Sequence, residues 1–336
     1  MNIYPIKLKS VLKDIIWGGT TLSEKYGLGE KGQRIAEAWT LTLRPDGINE
    51  IENGDCAGMS LSEYAEKAGM KVLCGKEYAE KNIYDFPLLV KLIDAKDNLS
   101  VQVHPDDAYA HSNGIDSGKT EMWYIVDCEP GAQLVYGLKE GTDITSDAFK
   151  AAAKNGNISE YLNYVNVKKG DIYYIPAGMV HAIGKGILIA EVQQNSNSTF
   201  RIYDYGRVGA DGKPRELHLD KAMEVIKTDF SHDHAIGGML PTDIPGMPVK
   251  IVESEFFSVS KLMLSNGEKY TFNENGMMHI LCTDGCGNLT YKDENGANAY
   301  IDINAAESIL IPADFESFDL SSGGSAEFLV STTSKA

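Results

Sequence analysis

Positive charge, cysteine and long apolar runs are all scarce in this chain. Its 336 residues carry 31 lysines and arginines against 48 aspartates and glutamates, a net charge of −17. General nucleic-acid binding needs a basic footprint and is excluded; an anionic small molecule can be bound, but only through a local cluster of basic groups. The five cysteines, Cys56, Cys74, Cys128, Cys282 and Cys286, are odd in number and scattered. They argue for a reducing compartment and against a disulfide framework. Cys282 and Cys286 have no second Cys or His pair at zinc-site spacing, so no structural zinc is expected there. The N-terminus MNIYPIKLKS has no apolar signal core. The longest apolar run, Phe86 to Ile93, contains Lys91 and is too short to span a bilayer. A soluble cytoplasmic protein with no membrane and no nucleic-acid partner is the expectation.

What is present is a globular composition, 43% hydrophobic and 24% charged, in a chain long enough for two domains. The densest stretch runs from Asp171 to Arg207. Ile172 to Ile175 reads as a strand, and Pro176-Ala177-Gly178 as a tight turn, since proline fixes φ and glycine permits positive φ. His181 follows three residues later, well placed to be a rigid ligand or base. Ile187 to Gln193 is strand-like, with Glu191 inside an apolar run; a lone carboxylate there would be costly to bury without a partner. Arg201 opens another strand, in which alternation puts Arg201, Tyr203 and Tyr205 on one face and Asp204 on the other.

The rest of the chain is read around that stretch. Ser60 and Glu63 have the spacing of a capping box, with the helix ending near Gly69. Phe86 to Ile93 and Leu99 to His104 read as two strands joined at Lys96-Asp97-Asn98. Gln102 and His104, two apart, share a face, as do Glu121, Trp123 and Ile125. Helices are expected over Ser146 to Lys154 and Glu216 to Thr228. Residues 229–250, with Gly237-Gly238, three prolines and the triplet His232-Asp233-His234, read as a linker. Residues 251–336 are strand-rich, with turns at Asn266-Gly267, Asn275-Gly276, Asp284-Gly285 and Asn295-Gly296. Ala306 to Ala313 echoes Gly170 to Ala177, with Ser317 standing where His181 stands. Two related β-domains are expected, of which only the first carries a site.

Gln102, His104, Glu121 and His181 are the candidate metal ligands. Each also has a plainer reading: a surface amide, a hydrogen-bonded core histidine, or a Glu paired with Lys119. Two imidazoles, one carboxylate and a neutral amide would leave a zinc ion with residual positive charge, and so a good Lewis acid.

The pattern Gly170-x5-Pro176-x-Gly178-x2-His181 resembles the second cupin motif, although that motif would have Asn where this chain has Lys185. Together LSVQVHPDD, GKTE and the His181, Glu191, Arg201 series resemble type I mannose-6-phosphate isomerases, in particular the short bacterial form. The match covers most of residues 15–207. The resemblance implies a mainly β fold of two cupin-type (jelly-roll) barrels with a few peripheral helices. Residues 1–235 would be the catalytic zinc-binding cupin, and 250–336 a cupin-like domain without ligands. It implies one zinc per chain on Gln102, His104, Glu121 and His181, a catalytic arginine at Arg201, and proton transfer by Glu191. Lys91 and Lys119 match lysines that face the family's active site. The chain departs from the family at Gly118, where long forms have His, at Ala38, where Ser is usual, and at Asn197, where many members have Asp.

The implied reaction interconverts mannose 6-phosphate and fructose 6-phosphate through a cis-enediolate. It needs a base for carbon, an electrophile for the oxygens and a route for the hydroxyl proton. Arg201, Glu191 and Lys119 are the catalytic candidates. Lys91, Lys119, Lys185 and Arg207 are candidates for the phosphate, and Trp17 for the substrate, although Trp17 reads equally well as a partly buried surface aromatic. The partner is then a small sugar phosphate, with the protein a monomer or homodimer. Two rivals are an iron-dependent cupin oxygenase, disfavoured by the amide ligand, and a non-catalytic sugar-binding cupin, disfavoured by Arg201 and Lys119.

Overall fold

Strand-forming segments of this chain fall into two kinds, and the computed structural model shows why. It describes residues 2–209, 212–228, 230 and 243–333; the His232-Asp233-His234 triplet lies outside the described residues. Leu88–Ala95 and Ile187–Gln194 are buried at every position. They are neighbours in a six-stranded sheet ordered Ile172–Ile175, Glu121–Cys128, Ile187–Gln194, Leu88–Ala95, Glu37–Leu41, Val11–Lys13. One face of that sheet packs Leu88, Val90, Leu92, Leu188, Ala190 and Val192 against Phe257, Val259, Leu281 and Leu310 of the C-terminal sheet. The other face turns inward on a five-stranded sheet ordered Leu162–Asn166, Gln133–Leu138, His181–Ile183, Val101–Val103, Phe200–Tyr203. Both faces are therefore covered, which explains strands that read as continuous apolar runs with isolated charges.

The fold is mainly β, with two cupin-type barrels and few helices. The C-terminal barrel is built on the 15-residue strand Met278–Lys292, which pairs with Asn298–Asn304, Ser308–Ile311, Phe318–Ser321 and Ala326–Thr333. The first strand of the chain, Ile6–Lys9, pairs with Ser308–Ile311 and with Glu50–Ile51, so it extends the C-terminal sheet. A Leu→Ala change in the shared apolar layer, for example at Leu310, would cost about 2–5 kcal/mol.

The helices form where capping dictates. Leu61–Ala68 starts on a capping box, with the Ser60 hydroxyl accepting from the Glu63 N–H and the Glu63 carboxylate accepting from the Ser60 N–H at 2.9 Å. Asp147–Asn155 starts on Ser146 and ends on Gly156 in the left-handed region at φ 81°. The expected helix Glu216 to Thr228 is shorter, Leu219–Val225. Its first residues are drawn off to run beside Phe200–Tyr203, where the His218 N–H donates to the Arg201 carbonyl at 2.8 Å.

Candidate active site

Two rows of side chains face each other inside the N-terminal barrel. In the six-stranded sheet, register places Trp39, Lys91, Glu191 and Trp123 side by side on successive strands. In the five-stranded sheet, Tyr136, His181, Gln102 and Arg201 form the corresponding row. Directly paired residues of antiparallel strands point to the same face. The rows meet where the Trp123 and His181 rings touch edge to face, with centroids 5.4 Å apart. Two residues along from Trp123 lies Glu121, and two along from Gln102 lies His104, so both enter the same space.

His104, Glu121 and His181 present ligand atoms all within 4.8 Å of one another, and all three are buried. Nε2 of His104 is 3.1 Å from Nε2 of His181, and the Glu121 oxygens are 3.5 Å and 3.4 Å from those two nitrogens. The Gln102 amide lies 3.4 Å from His181 Nε2. Ligands about 2.0–2.1 Å from one tetrahedral zinc ion stand at roughly this mutual spacing.

Hydrogen bonding tests whether an ion fits. His104 Nδ1 contacts the Ser198 carbonyl at 2.7 Å, and His181 Nδ1 the Met179 carbonyl at 2.8 Å. Only an N–H can donate to a carbonyl, so each proton sits on Nδ1 and each Nε2 carries a lone pair. The two lone pairs are then turned toward one point. Among the described residues the one donor that reaches the Glu121 carboxylate is Lys119 Nζ, 3.0 Å from one oxygen. Burial lowers His181 to about 4 and lowers His104 well below its ordinary value, with Lys119 adding to both. Both imidazoles are thus neutral at pH 7, which is their ligating form. Burial, then the charge of Glu191, raises Glu121 to about 7, against the pull of Lys119. Two imidazole lone pairs and a carboxylate turned on one point, with the Lys119 cation drawn against them, make a site for a cation, and the residues fit a zinc ion.

The charged groups beside these ligands form a chain. Lys119 Nζ is 3.0 Å from Glu121 and 3.1 Å from His104 Nε2. The plain reading of Glu121 as a partner of Lys119 and its reading as a ligand therefore coincide. Lys91 Nζ lies 3.2 Å from Glu191 and 3.8 Å from Glu37. Trp123 donates to Glu191 at 2.8 Å and Trp39 to Glu37 at 2.6 Å. Burial would discharge Lys91, but Glu37 and Glu191 more than offset it and its pKa is raised. Burial would likewise raise Glu191, but Lys91, Lys119 and Trp123 hold it ionised. With Lys91 and Lys119 against Glu37, Glu121 and Glu191, the formal balance is 2 − 3 = −1. A divalent ion would change it to +1, which suits an anionic substrate.

The remaining candidates lie outside the metal group. Trp17 is 4% exposed, among Ala36, Ile93 and Trp123 in the apolar cluster. Lys185 is exposed on the turn after His181–Ile183, its N–H bound to the Asn98 side chain. Arg207 donates to the Asn98 carbonyl and to Asp204. Neither Tyr203 nor Tyr205 shares a face with Arg201: an irregularity after Arg201 pairs Tyr203 with Val101 and packs it in the outer apolar cluster, the strand ends there, and Tyr205 follows at φ 57°. Reading the sequence missed Glu37 and Trp39. Their shared face was readable from Glu37-Ala38-Trp39, but their meeting with Lys91 depends on sheet register.

Residues 6–125 match the family model of the phosphomannose isomerase type I catalytic domain. Mannose-6-phosphate isomerase ManA of Bacillus subtilis is 41% identical over 79% of this chain and 81% of its own length. The chain belongs to the type I mannose-6-phosphate isomerase family. Mannose-6-phosphate isomerase of Streptococcus mutans is 35% identical over 79% of this chain and 80% of its own length. The crystal structure of the mannose 6-phosphate isomerase from Bacillus subtilis superposes with a TM-score of 0.83 at 32% identity, covering 97% of this chain and 99% of that one. Within this family Gly118 has a local cause. A Cβ there would stand 2.6 Å from the Asp106 carbonyl carbon and the Asp107 nitrogen, so no side chain fits without moving backbone.

Proposed function

We propose that this chain interconverts mannose 6-phosphate and fructose 6-phosphate, using one zinc ion held by Gln102, His104, Glu121 and His181. The observation that carries the reading is the convergence of two neutral imidazoles and a buried carboxylate on one point, opposite an ionised Glu191. When bound, the ion supplies an electrophile toward a sugar oxygen. Zinc suits this nitrogen- and oxygen-rich, thiolate-free donor set.

The chain's own residues supply the rest. Glu191 is the base that takes the proton from C2 of the aldose and returns it to C1. Charge develops on O1 in the cis-enediolate, and the Arg201 guanidinium holds it through a planar fork of donors. The O2 hydroxyl proton passes to O1 as the C2 carbonyl forms, with Lys119 the nearest group able to relay it. Lys91 keeps Glu191 charged and fixed. Catalysis is assigned to residues 1–235, since the grouped metal-ligand candidates among the described residues all lie there. The enzyme works in the cytoplasm.

The test combines metal analysis of purified protein with an isomerase assay on mannose 6-phosphate before and after chelation. Stoichiometric zinc, loss of activity on chelation and recovery on adding zinc are expected. Absence of isomerisation in zinc-loaded protein would overturn the function; activity insensitive to chelation would overturn the metal.

A further inference from the structure

In a chain of net charge −17, three arginines gather beside one end of the site. Asp204, just past the strand that carries Arg201, is buried, with 5% of its side chain exposed. It accepts from Arg215 Nε at 2.7 Å and from Arg215 Nη2, and it is also paired with Arg207 Nη2. The two guanidinium side chains are only 20% and 23% exposed. Arg215 is brought there because residues 215–218 run along the strand: Arg201 Nη1 donates to the Glu216 carbonyl at 2.8 Å, one peptide from Arg215. Arg201 therefore feels Arg215, Asp204 and Arg207 together. The formal balance of Arg201, Arg207, Arg215 and Asp204 is 3 − 1 = +2.

One aspartate does not need two arginines, and a bidentate arginine leaves donors over. With Nε and Nη2 of Arg215 on Asp204, its Nη1 has no protein acceptor among the described residues. Arg201 also has a buried Nε without a hydrogen-bond partner among the described residues. Excess positive charge on half-buried, pre-oriented guanidinium groups is the arrangement that recognises a phosphate dianion. The lysines do not compete for this role. Lys91 and Lys119 are committed to carboxylates deep in the barrel, and the Lys185 side chain is exposed.

We propose that Arg215 and Arg207, clamped together by Asp204, bind the phosphate of the substrate and set the preference for phosphorylated over unphosphorylated sugar. This rests on the isomerase reading of the same site. Asp204 is a positioning residue: it fixes both forks and touches no substrate.

The experiment is steady-state kinetics of zinc-loaded wild type, Arg215→Gln and Arg215→Lys on mannose 6-phosphate and on mannose, with inorganic phosphate as inhibitor and as calorimetric ligand. In Arg215→Gln, KM for mannose 6-phosphate and the inorganic phosphate constant should both rise about 10- to 100-fold. The zinc content should stay the same. Arg215→Lys keeps the charge but not the fork and should fall between, which also covers failure of the Gln variant to fold. If wild type isomerises mannose 6-phosphate but both variants keep its KM and its phosphate affinity, the clamp is only structural and the inference fails alone. If wild type does not isomerise mannose 6-phosphate, the isomerase reading fails; phosphate binding to wild type, lost in Arg215→Gln, would still show the anion site. A melting temperature that falls with KM and phosphate affinity unchanged would also overturn the inference.

Discussion

Lys91 and Glu191 stand directly opposite each other on neighbouring strands, with Nζ 3.2 Å from Oε1. Each is the reason the other can be charged in a buried layer. Removing one partner of such a pair leaves an unpaired charge and costs about 3–5 kcal/mol; Glu37, 3.8 Å from Lys91, moves Glu191→Gln toward the lower end. Glu191→Gln keeps the shape and a contact for Trp123 but removes the base. Its kcat should fall about 10²- to 10⁴-fold. Lys91→Met with Glu191→Gln should recover part of the lost stability and none of the activity. Denaturant unfolding and kinetics on the wild type and both variants check this; normal kcat in Glu191→Gln would move the base elsewhere.

Arg201 is the next residue to test. It pairs in register with Gln102, so its side chain starts on the ligand face. Asp204 is engaged with Arg207 and Arg215, which leaves Arg201 free of that plainer role. Arg201→Lys should lower kcat more than it raises KM, by about 10²-fold or more, if the fork acts mainly in the transition state. Near-normal kcat in zinc-loaded Arg201→Lys and Arg201→Ala would leave it structural.

Metal removal should be visible in stability as well as in turnover. Two lone pairs 3.1 Å apart, and a fully buried carboxylate facing them, are costs that a cation relieves. Zinc at about 100 times its dissociation constant would add about 2.7 kcal/mol. Chelated protein should therefore melt lower and recover on adding zinc, and His181→Ala should melt alike with and without zinc. A melting temperature of the wild type that ignores zinc would count against the site.

How much of this was legible in the sequence follows from what sequence can encode. Alternation paired Gln102 with His104 and Glu121 with Trp123, because period two is a local property of a strand. The Pro-Ala-Gly turn placed His181, and Ser60 with Glu63 marked a helix start. Contacts set by register were not legible. Nothing in the order of residues says that Glu37 meets Lys91, that Arg215 returns to Asp204, or that Ile6–Lys9 joins the C-terminal sheet. Alternation failed after Arg201, where a strand irregularity paired Tyr203 with Val101 and turned it to the other face.

The last prediction concerns His279, far from the site in sequence and buried in the C-terminal barrel. It lies on Met278–Lys292 opposite Leu310 and Ser331, is 0% exposed, and among the described residues only the Thr40 backbone offers its ring a polar contact. Burial lowers its pKa to about 3, with the Thr40 backbone opposing only in part. In the unfolded chain the same group titrates near 6.5. Between about 6.5 and 3 the unfolded state therefore binds a proton that the native state refuses, so stability falls as pH falls through that window. One fully linked group contributes about 1.4 kcal/mol per pH unit, or roughly 2 kcal/mol between pH 6.5 and 5. His279→Leu keeps an apolar side chain of similar bulk and removes the titration. Denaturant unfolding of metal-stripped wild type and variant at pH 7.5 and 5 excludes proton release by zinc. The variant should lose less stability on acidification by about that amount. Equal losses in the two proteins would mean that His279 takes up its proton in the folded state, and that the barrel opens to admit it.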